Sequence, residues 1–444
     1  MTPVAREHTL TFGRHWLSAV LVILAVGRIV AAVYAANANV RGDYYASLPG
    51  AYVQTLNPTL WDSPDMEGAM GYHLDTYFHG PTQYLTLYAM AFFDSYRQIA
   101  RALMPVYALV LAAAFWLMWR GMRRLAPEPP MAVPLFASTF LFFPLIQSYV
   151  QREFEVVILF ALSAALVALV HDRRGLASVL LAYVAWFKYS PLIFAGWFAL
   201  RRWTRALAAF AATSVVVLLL AHAAFGLGRF VNNNVPAHAS QVLRVWDYGF
   251  ARGPGDELYG IGFCTGWFES ETTLANVRHG LCSLSSRFHW LAPNVVYLLL
   301  CIGVAAVYLT AHARAERASP FPAVTEAWRR ALELSIVTTV WATFFFNHYY
   351  YLIVLILPLN VLLTRYLMTG NTIRLITWAF AYFFISAFVV PTSVLARLSG
   401  VGVWTAYITG AWFLYGELLL MALLLLEYWQ TCSGPDLTSS PSAS

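Results

Sequence analysis

Apolar runs of membrane-spanning length alternate with short groups of arginines along most of this chain, and that alternation leaves few folds open. The first run, Trp16 to Ala36, follows Arg6 and Arg14. It matches the ~20 residues a spanning helix needs and exceeds the ~7–15 of a signal-peptide core. Of the 444 residues, 60% are apolar and only 11% are charged, against roughly a quarter charged in soluble domains. A globule of this size would need far more charge to cover its surface. A soluble enzyme, a nucleic-acid-binding protein and a disordered chain are therefore excluded. The net charge of +6 points to no nucleic acid, because the arginines sit in groups between apolar runs, as in cytoplasmic loops. The expected fold is an all-α polytopic membrane protein.

Basic groups mark the cytoplasmic side of such a protein. Placing Arg120/Arg123/Arg124, Arg173/Arg174, Arg201/Arg202/Arg205, Arg314/Arg317/Arg329/Arg330 and Arg365/Arg374 inside predicts spans at 16–36, 98–119, 132–149, 154–171, 206–226, 291–311, 333–346, 348–366, 373–393 and 402–428. A further pair of segments falls within 176–200, which gives about twelve crossings with both termini cytoplasmic. Segment 176–200 carries arginines at both ends, and 25 residues at ~1.5 Å each cannot cross twice. It reads as two short half-helices meeting near Lys188 and Pro191, a break allowed only where protein or water covers the backbone. Residues 81–97 read as an interfacial helix on the outer face. Residues 1–430 are then one membrane-embedded domain, with outer loops 37–97 and 227–290 as caps over a cavity. Residues 431–444 form a Ser/Pro-rich tail of disordered composition on the cytoplasmic side. No internal repeat is evident, which counts against transporters built from duplicated halves. Cys264 and Cys282 share the second outer loop and can pair only in an oxidising compartment.

Candidate chemistry gathers at the outer ends of the spans. Arg41-Gly42-Asp43-Tyr44-Tyr45 follows the first span; Asp43 is either a general base for an acceptor hydroxyl or a solvated partner for Arg41. Asp62, Asp65, Glu67 and Asp75 compete with it. In Tyr72-His73-Leu74-Asp75-Thr76-Tyr77-Phe78-His79-Gly80-Pro81, Pro81 opens a helix and His79 stands at its mouth, while Tyr72 and Tyr77 suit an aromatic belt. In Gln151-Arg152-Glu153-Phe154-Glu155, Arg152 runs against the orientation rule; it either pairs with Glu153 or Glu155 or binds a phosphate. Lys188, the only lysine among the 28 basic residues, lies in an apolar run, where a cation faces a cavity or snorkels to an interface. Asn347-His348 precedes three tyrosines between two spans and suits a phosphate or a sugar. No zinc, P-loop, Rossmann or nucleophile-elbow motif is present.

In this order, the motifs resemble the GT-C superfamily of polyprenyl-phosphate-sugar-dependent glycosyltransferases, most of all glycosyltransferase family 87, which includes mycobacterial phosphatidylinositol-mannoside mannosyltransferases. The likeness rests on Gly42-Asp43-Tyr44-Tyr45, on Tyr77 to Pro81, on Phe187-Lys188-Tyr189-Ser190-Pro191, and on Asn347-His348-Tyr349 before a late helix ending in Pro358, over roughly residues 20–366. The resemblance implies a GT-C-like bundle with an extracytoplasmic active site in a bacterial plasma membrane. It implies a polyprenyl-phosphate-linked sugar donor, a glycolipid, glycan or protein acceptor, surrounding membrane lipids, no cofactor and no obligatory metal. Asp43 would be the base; Lys188, Arg152 and His348 would hold the leaving phosphate; His79, Tyr44, Asn347 and Asp75 would bind substrate. Family members often carry a Gly-Gln-x-Asn-like turn where this chain has Gln151 to Glu155, which leaves donor sugar and acceptor open. A transporter or flippase of lipid-linked sugars and a non-catalytic assembly subunit are the alternatives from other classes.

Overall fold

A computed structural model describes residues 3–38, 81–87, 93, 96–127, 131–151, 153–187, 191–225, 277–285, 288, 292–318, 320–344, 349–386 and 411–433. All regular structure among them is helical. In chain order the helices are α1 (Pro3–Ala38), α2 (Pro81–Leu87), α3 (Tyr96–Leu125), α4 (Ala132–Phe140), α5 (Phe143–Gln151), α6 (Glu155–Val170), α7 (Arg174–Ala185), α8 (Pro191–Leu200) and α9 (Thr204–Phe225). They continue with α10 (Val277–Ser285), α11 (Pro293–Arg317), α12 (Ala323–Phe344), a 3-10 turn (Tyr349–Leu355), α13 (Ile356–Thr369), α14 (Thr372–Ile385) and α15 (Trp412–Ser433). Six of the described helices are long and apolar enough to cross a membrane, and a seventh span results if α4 and α5 are counted as one. The chain is thus an all-α polytopic membrane protein. Two interior turns are tight copies of each other. Asp172 (φ 59°) and Arg202 (φ 54°) take the left-handed conformation, and the next N–H reaches back five residues, Arg173 to Ala168 at 2.7 Å and Trp203 to Phe198 at 3.0 Å.

Every described arginine turn meets the others at one end of the bundle. Arg174 and Arg201 each lie 4.8 Å from the Trp203 ring, so α7 and α8 leave from and return to the same end. α7 and α8 are thus two half-helices returning to one end, as the paired arginines predicted. Arg330 binds Asp172 at 2.7 Å and Glu326 at 3.2 Å, tying α12 to the α6–α7 turn. Arg365 and Arg374 clamp Glu427 of α15. At the centre, Glu333 is fully buried and accepts from Tyr428 at 2.6 Å and Trp197 at 3.2 Å, with Arg201 at 3.3 Å and Arg329 at 3.4 Å. This network explains why α12 begins at Ala323, ten residues before the predicted 333: its charges face partners and not water. His171, in the α6–α7 turn, is pushed below the usual histidine range by partial burial and by Arg124, Arg120 and Arg173.

Predicted span 132–149 is broken instead of straight, α4 and α5 meeting at 54°. The Phe143 N–H freed at the break is taken by the Ser386 hydroxyl at 3.2 Å, and Tyr382 donates to the Ser138 carbonyl at 2.7 Å, as backbone at membrane depth requires. Asn360, fully buried, accepts from Ser138 at 2.6 Å and donates to Thr139 at 2.9 Å, locking α13 to α4. Predicted span 348–366 starts as the 3-10 turn before α13. Pro358 therefore lies in the first turn of α13, a favoured place, and does not end a helix. Span 373–393 is helical over Thr372–Ile385, and the last helix runs from Trp412 to Ser433. Of 81–97, Pro81–Leu87 is a helix whose first two residues are buried. Cys282 is disulfide-bonded, Cys301 and Cys432 are free, and Cys264 lies outside the described residues. Thiol titration of the denatured protein is expected to find two reactive thiols before reduction and all four cysteines after it.

Candidate functional site

The end of the bundle opposite the arginines carries the described residues that flank the candidate motifs. The α7 tip is fixed by aromatic packing. Phe187 is fully buried and lies 6.3 Å from the Phe154 ring and 5.9 Å from Tyr183; Phe154 in turn meets Tyr107 of α3 edge-on at 6.1 Å. Offset and edge-to-face pairs of this kind stabilise beyond their buried area. α2 is pinned to the same tip: Thr82 donates to the Tyr183 carbonyl at 3.0 Å and Thr86 pairs with the Tyr183 hydroxyl at 2.6 Å. The 3-10 turn packs on α5, α6 and α12, and Tyr297 of α11 donates to the Phe344 carbonyl. The residues next to Gly80, Arg152, Lys188 and His348 therefore belong to one end of the molecule.

Asp43, Tyr44, Asp75, His79, Arg152, Lys188, Asn347 and His348 themselves lie outside the described residues. What is described between them is acidic and apolar. Glu153 and Glu155 are each 2% exposed, and both are within electrostatic reach of the Tyr107 hydroxyl. Two carboxylates buried in the α5–α6 turn suit either holding a cation in place or orienting a polar substrate group, since a buried charge requires a partner. Among the described residues no group of three His, Cys, Asp or Glu side chains is arranged to hold a metal ion.

The sequence reading overlooked one intramembrane cation. Arg28 falls inside the first apolar run; its guanidinium lies 5.5 Å from the centre of the Phe143 ring, at the α4–α5 break, and within electrostatic reach of Tyr382. A cation at that depth ordinarily faces a cavity or a partner. The signal was a single charge in a spanning run, hidden because arginine had served only as a marker of span ends. Glu417 of α15 is an acidic group in a like position, 1% exposed, and neither of its carboxyl oxygens has a hydrogen-bond partner among the described residues.

The model of Glycosyltransferase family 87 matches residues 77–253, a stretch holding His79, Arg152 and Lys188 and the framework of α2 to α9; Asp43, Asp75, Asn347 and His348 lie outside it. No curated protein and no solved structure matches the chain. The chain is thus an all-helical, multi-pass membrane protein whose residues 77–253 are similar to glycosyltransferase family 87.

Proposed function

We propose that the chain moves a sugar, mannose or another hexose or pentose, from a polyprenyl-phosphate donor to an acceptor hydroxyl on a glycolipid, glycan or protein. Transfer takes place on the extracytoplasmic side of a bacterial plasma membrane, in one domain whose termini are cytoplasmic. The observation that carries this reading is the family 87 match over 77–253, which spans three helix-end motifs whose described neighbours share the end opposite the arginines. The Cys282 disulfide supports the same orientation, because Gly280 of α10 lies against Leu414 at the start of α15, away from the Glu427 end that the arginines clamp, and disulfides persist in oxidising compartments.

In the proposed mechanism Asp43 takes the proton of the acceptor hydroxyl, the oxygen attacks the anomeric carbon, and the bond from that carbon to the phosphate oxygen breaks. A single displacement inverts the anomeric configuration and releases polyprenyl phosphate. Lys188, Arg152 and His348 stabilise the leaving phosphate, so no metal is required, and His79, Tyr44, Asn347 and Asp75 position donor and acceptor. Incubating the purified protein with synthetic polyprenyl-phosphate sugars and following polyprenyl phosphate release tests the reading. Turnover that persists in EDTA is expected. No turnover with any donor and acceptor, alongside movement of lipid-linked sugar between leaflets, would instead make it a flippase. Lys188→Met is expected to raise the donor KM roughly ten- to hundredfold, the value of a charge-assisted phosphate contact. An unchanged KM would make Lys188 a lysine snorkelling to the interface.

A further inference from the structure

The arginine end holds a feature that sugar transfer at the other end does not use. A groove of about 450 Å³ runs between α11 and α15, lined by Leu309, Thr310, Ala313, Arg314, Arg317 and Trp429. Five arginines of that end, Arg201, Arg329, Arg330, Arg365 and Arg374, bind carboxylates. Arg314 and Arg317 do not. Arg314 lies over the Trp429 ring, 5.4 Å from its centre, and makes only a long contact, 3.4 Å, to the Ser433 hydroxyl, while neither arginine has an acidic partner among the described residues. Stacking on an indole holds a guanidinium flat and leaves its N–H edge open to an anion. The other wall of the groove is apolar. α11 is a spanning helix with only 11% of its most apolar window buried inside the protein, so Leu309, 47% exposed, and Ala313 meet lipid chains directly below the two arginines.

We propose that this groove binds an anionic phospholipid of the leaflet at the arginine end, its phosphodiester on Arg314 and Arg317 and an acyl chain along Leu309 and Ala313. Charge complementarity selects the headgroup, and continuity with the lipid-facing surface of α11 selects a lipid over a free anion. An indole such as Trp429 is at home at that depth. The site rests on the spanning orientation of α11 and not on the transfer reaction, so it stands or falls independently of the proposed catalysis.

Full-length protein in detergent, offered phosphatidylglycerol or phosphatidylcholine and examined by native mass spectrometry, tests the site. Phosphatidylglycerol is expected to be retained in preference to phosphatidylcholine, and Arg314→Gln/Arg317→Gln to weaken that binding about thirtyfold, as loss of two arginines near an anionic group implies. Arg120→Gln/Arg123→Gln, which removes the same charge from α3, is expected to leave it within about twofold. Equal loss in the two double variants would reduce the effect to general attraction of a basic surface and overturn the site. So would displacement of the lipid by millimolar glycerol phosphate, which carries the anion without the chains. Both pairs are exposed and are expected to keep the parent melting temperature, which separates lost binding from lost folding.

Discussion

Asp43→Asn is expected to lower sugar transfer by about 10²–10⁴-fold, the range lost with a general base, while donor binding stays at the parent level. The substitution keeps size and hydrogen-bonding shape and removes only the capacity to take a proton. An acceptor hydroxyl is a poor nucleophile until its proton is leaving, so the deficit belongs in kcat. The donor bears its charge on the phosphate, which Lys188, Arg152 and His348 would hold, so the donor KM is expected to change by less than about threefold. Rates measured with saturating donor, together with binding of a non-reactive polyprenyl phosphate, separate the two. An Asn variant with full turnover would remove Asp43 as base and move the role to Asp75 or Asp65 in the same loop. A variant that loses donor binding and turnover together would place Asp43 in substrate positioning.

How much of this was readable from the chain follows from what apolar length and charge can encode. Of the twelve predicted crossings, six are long apolar helices among the described residues, with a seventh if α4 and α5 count as one. These and the hairpin of α7 and α8 were legible because arginines mark helix ends at one face of a membrane, and the segment from Arg174 to Arg201 has them at both ends. The early start of α12 was not: Glu326, Arg329, Arg330 and Glu333 resemble a hydrophilic loop until their partners on Asp172, Arg201 and Tyr428 are known. Pairing between distant segments leaves no local trace. The break between α4 and α5 was hidden for the same reason, since Ser386, 243 residues away, supplies the acceptor for the freed N–H. For the candidate site, the sequence could assign each motif to a helix end. It could not say that Tyr183 would hold α2 against the tip bearing Phe187, the contact that draws the segment after His79 towards the one before Lys188.

Glu333→Ala is expected to cost about 3–5 kcal/mol of stability, the penalty for breaking a buried ion pair by removing one member. Glu333 is fully buried, and its two oxygens serve α8 through Trp197 and Arg201, α12 through Arg329, and α15 through Tyr428. Alanine leaves a cavity, takes the acceptor from the buried Trp197 N–H, leaves the Tyr428 hydroxyl its long contact to His312 at 3.4 Å, and creates a local excess of guanidinium charge. Arg201 and Arg329 keep Glu326 and Glu316, which holds the loss within that range. Glu333→Gln retains two polar atoms and is expected to cost about 1–3 kcal/mol. Loss of helical circular dichroism on heating should rank parent above Gln above Ala. An Ala variant melting within about 1 °C of the parent would show that the hub adds nothing to the bundle. The network lies roughly 24 Å, the length of α6 at 1.5 Å per residue, from the Glu153 end. Folded Glu333→Ala protein is therefore expected to keep the parent donor KM, because the residues proposed to bind the donor flank the opposite end of the bundle.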